Sequence, residues 1–397
     1  ARKQAEADSR RADMKQHANK LIQGFEKLED IHAKRAIWEL FQNAIDLSAH
    51  CQITIELTPN ALSFSHNGAP FTSATLISLI KQVSSKSGES NEDEVGQYGT
   101  GFITTHSFGK KIILNGSLDL GKGEAYVPLT NFEIDRITER SNPDILIDKL
   151  AAQEQQVYDL IGDETIETTS IPAPWTTFAY QTTSALEQAN AQLALSNLRE
   201  LVPLVMVLNP RLQQVTIKTS DTQGQPQQTV VSKKYSHLNE QRLGVAHIQV
   251  GNDVHHIHYL KSPGGNITVI LPLSSVHQTK VFSEALPRLF LFFPLIGTEA
   301  FGMNFIIHAR DFAPTEPRDG IHLSSKNEQV KTKETTNQQI LEIASNMIFE
   351  FVSQHAASIK APAHLAPIDF GAKVNDYPLL SEYFKEFKAL WVSHFKT

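Results

Sequence analysis

The chain has 397 residues, of which 41% are hydrophobic and 20% are charged, and its formal net charge is −7. This length exceeds what one hydrophobic core usually serves, so two domains are expected, and the negative charge argues against nucleic-acid binding driven by bulk charge. No apolar run approaches the ~20 residues of a membrane span. A single cysteine, Cys51, excludes an internal disulfide and predicts a reducing, cytoplasmic location.

The chain begins with a charged segment and continues into its strongest predicted helix. Residues 1–32 have sparse apolar positions among many charges, which indicates an N-terminal helical arm. Residues 33–49 carry apolar side chains at helical spacing and are predicted to form an amphipathic helix with one buried face. The apolar stripe consists of Ala36, Ile37, Leu40, Phe41 and Ala44.

A hairpin is predicted next, with the strands CQITIEL and LSFSH on either side of the turn TPNA. A helix predicted over 73–83 leads into residues 84–95, which have no periodicity and indicate a surface loop. The following stretch, GQYGTGF at 96–102, holds three glycines. A glycine-rich turn that enters a helix can bind an anion, because its free N–H groups and the helix dipole point the same way. Such a turn can also serve only to let a loop pass close to a helix.

The remaining elements divide the chain into regions. The strand KKIILNG, a polar helix at 145–162 and the strand TTFAYQ complete a first α/β region, and a long helical stretch is predicted over 184–208. Residues 213–272 are rich in strands, and a helix is predicted over 326–358. We therefore expect four segments: an arm at 1–32, a domain at 33–183, a second domain at 184–345 and a helical tail at 346–397.

The helix over 33–49 carries three polar side chains opposite its apolar stripe. Glu39, Asn43 and Asp46 are spaced i, i+4 and i+7, which places them on one face. A solvated helix face would have the same composition. The order of the next segments favours a functional site, because a strand ending near Gly68, a polar loop and the glycine-rich turn succeed one another.

Four motifs in this order resemble those of one ATPase superfamily. ELFQNAID at 39–46, HNGAPF at 66–71, GQYGTGF and TTFAYQ are similar to the motifs of the GHKL ATPases, which include gyrase, the ninety-kilodalton heat-shock chaperone, histidine kinases and MutL-type proteins. The resemblance covers residues 33–180 and is nearest to the sacsin-like and MORC-like branch. It implies an α+β protein with a Bergerat-type α/β sandwich that binds ATP, a second, S5-like transducer α/β domain and a C-terminal helical segment.

The resemblance also implies roles in phosphoanhydride hydrolysis. Glu39 would take a proton from the attacking water, and Asn43 would offer its side-chain oxygen to Mg²⁺. The glycines of the turn would let backbone N–H groups approach the phosphates of ATP. These residues are Gly96, Gly99 and Gly101, with Thr100 and Phe102 each adding a backbone contact. Lys86, in the loop that would close as a lid, is either a phosphate contact or a solvated lysine.

His66 stands where the related ATPases have an aspartate that accepts a hydrogen bond from the adenine amino group. A neutral histidine can accept through one ring nitrogen if it has the correct tautomer. We then expect nucleotide affinity to vary with pH near the ordinary histidine pKa of about 6.5. Ser65 or Asn67 is expected to substitute for the aspartate through water, and Asp46 to help hold the base or its water. Gly68 and Thr177, in the motifs HNGAPF and TTFAYQ, are also expected to bind the nucleotide.

The second domain is expected to supply a cation to the γ-phosphate. Lys280 in HQTKVF and Arg318 in PTEPRDGI are the candidates, with Arg310 as a further one, and each also fits a structural ion pair. The resemblance implies a switch in which ATP orders the lid, the N-terminal regions join a homodimer, and slow hydrolysis resets the conformation. It would serve a chaperone-like, DNA-associated or defence-associated machine with a protein or nucleic-acid client and no membrane.

Two other functions fit the same motifs: a nucleotide sensor that does not hydrolyse, and an interaction scaffold. Three local patterns are given structural interpretations. GSLDLGKG at 116–123 lacks the final Ser or Thr of a P-loop and is predicted to be a hairpin turn. VHHIHYL at 254–260 offers two histidines on one strand face, too few for a zinc site. His17 and His32 precede the Glu39 helix too closely for the phospho-accepting helices of a histidine kinase.

Overall fold

The computed structural model has a mixed α+β architecture. It describes residues 2–28, 30–82, 101–121, 123, 125–139, 142–220, 224–240, 242–275, 278–315, 318–370 and 378–396. The chain forms two compact units. The first consists of Ala1–Leu198 and Arg211–Val230, and the second of Arg199–Pro210 and Val231–Thr397.

These units differ from the predicted segments in three places. Helix 185–195 packs on the Glu39 helix in the first unit, although the predicted boundary lay at 183/184. Strand 212–220 also belongs to the first unit, because it pairs in parallel with strand 51–57. The expected tail at 346–397 contributes to the core of the second unit, where its aromatic side chains are buried.

The helices of the first unit are α1 (Arg2–Glu26), α2 (Asp30–Asp46), α3 (Ser73–Lys81), α4 (Gly101–Thr105), α5 (Pro143–Gly162) and α6 (Ala185–Leu195). The predicted apolar stripe of α2 is confirmed, since all five of its side chains are buried. A capping box between Thr72 and Thr75 begins α3. Helix α2 packs against α4 and α6, and α5 packs against α1 and α3.

The strands of the first unit are β1 (Cys51–Leu57), β2 (Ala61–His66), β3 (Phe71–Thr72), β4 (Lys111–Asp119), β5 (Tyr126–Asp135), β6 (Thr176–Gln181) and β7 (Leu212–Ser220). They lie in the order β7-β1-β2-β6-β4-β3, with β5 on β4. The predicted hairpin is confirmed, because β1 and β2 are antiparallel. Phe41 of α2 contacts Phe64 of β2 at 5.7 Å between ring centroids, so α2 covers the buried face of this sheet.

Helix α1 is docked on its own unit. Its side chains Met14, Ala18 and Leu21 are fully buried. At its edge Glu154 of α5 accepts from Arg10 at 2.8 Å and from Lys81 at 3.0 Å. Burial of an apolar stripe together with paired charges holds the expected arm against α5 and α4.

The helical stretch predicted over 184–208 is confirmed, and it consists of two helices because the segment breaks after α6. Helix α7 (Leu198–Leu208) follows the break and belongs almost wholly to the second unit. At the break, the Ser196 hydroxyl donates to the Leu193 carbonyl at 2.7 Å, which gives the backbone an alternative to helical bonding. In the described residues no single helix is long and apolar enough to cross a membrane; α6 and α7 meet that test only when counted together across their break.

The strands of the second unit are β8 (Pro226–Leu238), β9 (Leu243–Val250), β10 (Asp253–Lys261), β11 (Ile267–Ile270), β12 (Leu273–Ser275), β13 (Gln278–Thr279), β14 (Leu289–Leu291), β15 (Phe293–Pro294) and β16 (Ile306–Ala309). The sheet order is β15-β14-β16-β11-β10-β9-β8, and β12 pairs with β13 apart from it. Helices α8 (Lys331–His355) and α9 (Pro378–Phe395) complete the unit. Phe349 of α8 and Phe305 both contact the buried ring of Trp391 in α9.

Candidate functional site

The carboxylate of Glu39 lies directly against the backbone of Gly101. Gly101 is the first residue of α4, and a Cβ added to it would overlap the Glu39 carboxylate. Only glycine therefore fits this position without displacing Glu39. The structure brings together the carboxylate-bearing helix and the end of the glycine-rich stretch, which are about 60 residues apart in the chain.

The other two polar residues of α2 follow Glu39 along the same helix face. Glu39 is half-buried, Asn43 is exposed and Asp46 is half-buried. The side chain of Asn43, one helical turn beyond the carboxylate, is therefore open to solvent. Of the glycine-rich stretch, Gly96, Gly99 and Thr100 lie outside the described residues, as does Lys86.

Phe102 connects the start of α4 to the sheet through its aromatic ring. Its ring centroid lies 5.9 Å from that of Phe178 on β6 and 5.9 Å from that of His106. Phe178 in turn stacks on His66, with 6.1 Å between centroids and 27° between ring planes. These spacings are typical of packed aromatic pairs. A chain of rings therefore runs from α4 to the end of β2.

His66 is buried and hydrogen-bonded to the turn after β2. Its Nδ1 accepts from the backbone N–H of Gly68 at 3.0 Å. Burial lowers the pKa of His66 to about 4, so the ring is neutral at physiological pH. With Nδ1 accepting, the single proton of the neutral ring is on Nε2.

This geometry corrects the expected role of His66. Nε2–H is a donor and cannot accept from an adenine amino group. The expected pH dependence also changes, because burial lowers the pKa of His66 to about 4, well below 6.5. Nucleotide affinity is now expected to be flat from about pH 5.5 to 8 even if His66 contacts the base.

Gly68 is required by close packing. A Cβ at this position would lie 2.7 Å from the Leu47 Cβ and 2.9 Å from the His66 Nδ1. The next residue donates its N–H to the Leu47 carbonyl at 3.0 Å, which fastens the turn to the end of α2. The backbone N–H that fixes the His66 tautomer is thereby held in place.

The two residues considered as substitutes for the missing aspartate have other partners. Asn67 accepts from the Gln52 N–H at 2.8 Å and donates to the His50 carbonyl at 2.9 Å, so its side chain is used in joining β1 to β2. The Ser65 hydroxyl lies 2.9 Å from the Thr177 hydroxyl. Asp46 also has an interaction partner within the structure.

Thr177 projects from the sheet face opposite to His66, so the structure does not bring these two residues together. Side chains alternate along β6, with Thr176 and Phe178 buried and Thr177 half-buried. Thr176 is the register partner of His66 and lies on the same face. Sequence reasoning missed Thr176, although alternation counted back from the apolar Phe178 and Tyr180 would have selected it.

Lys280 and Arg318 belong to the second unit, whereas the geometry above involves only the first. The Lys280 Nζ lies 5.3 Å from the centroid of the Phe282 ring. Burial lowers the pKa of Lys280, and Glu200 partly opposes this. Arg318 has a φ of +68°, in the left-handed region, and Thr315 donates to its neighbour Asp319 at 2.8 Å.

The three alternative patterns have structural roles in the described part of the chain. The pattern at 116–123 begins in β4 and is followed by the strand β5. A P-loop would be followed by a helix. His256 packs on His247 at 4.5 Å between centroids. No group of three His, Cys, Asp or Glu side chains able to hold a metal occurs among the described residues. His17 lies 3.2 Å from Asp13 on the same helix.

No family model matches the chain, and no curated protein is significantly similar to it in sequence. The resemblance to the GHKL ATPases therefore stays a prediction from motif order.

Proposed function

We propose that the first unit is a Bergerat-type domain that binds a nucleoside triphosphate with Mg²⁺ and hydrolyses it slowly, with ATP as the nucleotide that the motif resemblance implies. The observation that carries the proposal is the contact between the Glu39 carboxylate and Gly101. Because Gly101 has no Cβ, its backbone can lie in contact with the Glu39 carboxylate, and a phosphate bound by that backbone would lie beside a general base.

The donor set on α2 fits a magnesium ion. Mg²⁺ takes oxygen ligands and is commonly held by few protein groups together with phosphates and water. The exposed amide oxygen of Asn43, one turn from Glu39, is such a ligand. When bound, the ion would neutralise charge on the phosphates.

Glu39 would act as general base in the hydrolysis. Its carboxylate would accept a proton from the attacking water, and Gly101 would keep that carboxylate in position. Backbone N–H groups of Gly96, Gly99 and Gly101 would bind the phosphates, with Thr100, Phe102 and Lys86 beside them. General base catalysis of this kind contributes about 10²–10⁴ in rate.

The resemblance extends the proposal to a switch. Lys280 or Arg318 of an S5-like second unit would sense the γ-phosphate, and nucleotide binding would favour a homodimer through the N-terminal regions. Such a protein would act in the cytoplasm on a protein or nucleic-acid client. Hydrolysis would reset the conformation after each cycle.

The test uses the full chain with Mg²⁺ and ATP, GTP or ITP at millimolar concentration. Binding raises stability by RT ln(1 + [L]/Kd), about 2.7 kcal/mol at a hundredfold excess over Kd, which a thermal shift measures. Glu39→Gln is expected to keep the thermal shift and to lower phosphate release by about 10²–10⁴. Glu56→Gln, at an exposed position on β1, is the control and should change neither.

Three results would contradict the proposal. The absence of a thermal shift with all three nucleotides would favour a scaffold. A thermal shift without phosphate release in the unaltered chain would favour a sensor that binds and does not hydrolyse. Full turnover in Glu39→Gln would remove Glu39 from the reaction.

A further inference from the structure

At His66, where the nucleotide base would bind, the direction of hydrogen bonding is fixed by the protein. Gly68 donates its N–H to the His66 Nδ1, and the packing of Gly68 against Leu47 leaves this N–H little freedom to turn away. A neutral imidazole has one N–H and one acceptor nitrogen, so occupation of the acceptor by Gly68 assigns the proton to Nε2. His66 therefore presents a donor to any ligand that reaches it.

The surroundings of the His66 ring are apolar. Phe64 and Phe178 contact the ring at 6.4 Å and 6.1 Å between centroids. Within the described ranges, Nε2 makes no hydrogen bond to a protein group. A donor in such surroundings favours a ligand that supplies an acceptor, because an unmatched polar group loses its hydrogen bond to water without replacement.

The residue across the strand pair adds a second polar group. Thr176 is the register partner of His66 and is buried on the same face. The backbone beside it is bare, since a Cβ on Gly116 would lie 3.1 Å from the Thr176 Oγ1. A threonine hydroxyl both donates and accepts, so it can pair with whichever group stands next to the one that meets His66.

From this arrangement we propose that the base site selects a 6-oxo purine, such as hypoxanthine or guanine, over adenine. This inference rests on the proposed function and specifies the nucleotide that the site takes. Adenine carries an amino donor at C6, which would meet the donor Nε2–H. Hypoxanthine and guanine carry a carbonyl acceptor at C6, which pairs with Nε2–H, and their N1–H pairs with the Thr176 hydroxyl.

ITP and ATP provide the sharpest comparison, because they differ only at C6 and N1 of the base. The full chain with Mg²⁺ is titrated with ATP, ITP and GTP at pH 7.5, and Kd is measured by calorimetry. ITP and GTP are expected to bind at least about tenfold more tightly than ATP, which corresponds to about 1.4 kcal/mol.

Two substitutions separate donor from acceptor at this position. His66→Asp replaces the donor with a carboxylate that can still accept from Gly68, so it should reverse the preference in favour of ATP. His66→Asn is the matched control, because its Oδ1 can accept from Gly68 while its amide N–H donates to the base. It should keep the preference for ITP.

The outcomes distinguish this inference from the proposed function. If the unaltered chain binds ATP as tightly as ITP or more tightly, the inference is overturned and nucleotide binding is not. This measurement does not depend on the folding of a variant. An unchanged ATP-to-ITP ratio in a folded His66→Asp chain also overturns it. If none of the three nucleotides binds, the proposed function fails and this inference fails with it.

Discussion

At one end of the candidate site a half-buried carboxylate lies against a glycine, and at the other a buried neutral histidine accepts from a backbone N–H. Glu39 and Gly101 belong to motifs whose residue types agree with the resemblance. His66 departs from the resemblance, because the related ATPases have an aspartate at this position. Each end has a glycine in close contact with its neighbours. Gly101 makes room for the Glu39 carboxylate, and Gly68 packs against Leu47 and the His66 ring.

The difference between the two ends shows where residue type decides chemistry and where surroundings decide it. A carboxylate acts as an acceptor and a base in most environments, so the role proposed for Glu39 follows from its residue type. An imidazole can donate, accept or carry a charge, and its neighbours choose among these states. The hydrogen bond from Gly68 and the aromatic packing make that choice for His66.

After the loss of the Glu39 carboxylate itself, the largest effect is expected from Gly101→Ala, which tests the Glu39 end. Its Cβ would overlap the Glu39 carboxylate, so one of the two must move. Misplacement of a catalytic group by about 1 Å can cost about 100-fold in rate, and we expect phosphate release to fall by that factor. Steady-state phosphate release and the nucleotide thermal shift would be measured together.

Gly162→Ala is the matched control for this substitution. Gly162 ends α5, and a Cβ there meets nothing within 4 Å. It should leave turnover unchanged and should stabilise the unit slightly, because alanine restricts the unfolded chain. Unaltered turnover in Gly101→Ala would show that the carboxylate position is not needed for activity.

The next effect concerns the pH dependence of stability and tests the His66 end. Burial lowers the folded-state pKa of His66 to about 4, whereas the unfolded ring titrates near 6.5. Between these values the unfolded chain binds the extra proton, so this contribution to stability is complete above pH 6.5 and is lost as pH falls towards 4. It amounts to about 2 kcal/mol between pH 7 and 5.

Urea unfolding at pH 7 and pH 5 measures this contribution. His66→Asn should reduce the loss of free energy of unfolding on acidification by about 2 kcal/mol. His255→Asn, at an exposed position on β10, should leave the loss as it is. An equal loss in the unaltered chain and in His66→Asn would mean that the ring is accessible to protons in the folded state.

The smallest effect distinguishes the two threonines of β6. Thr176→Val removes the buried hydroxyl beside His66 and should weaken nucleotide binding about fivefold, or about 1 kcal/mol. Thr177→Val removes the bond to Ser65 on the opposite face and should cost about 1 kcal/mol in stability without changing the nucleotide Kd. The reverse pattern in calorimetry would place the ligand on the other face of the sheet.

Sequence patterns predicted the local elements well and their grouping less well. The stripe of α2 and the hairpin β1–β2 are confirmed, because each follows from a periodicity within a few turns of chain. The helical stretch over 184–208 is confirmed, but its division into two helices at Ser196 did not follow from the composition. The unit boundary also depends on β7 returning to pair with β1, a contact between distant segments.

By itself the sequence determined which residue types are available and how they are spaced along each helix and strand. It aligned Glu39, Asn43 and Asp46 on one face of α2, because the helical repeat is fixed by the backbone. Only the tertiary structure decided that Gly101 meets Glu39, that Thr176 rather than Thr177 shares the face of His66, and that the His66 proton is on Nε2. These depend on contacts between segments far apart in the chain, and local periodicity contains no information about them.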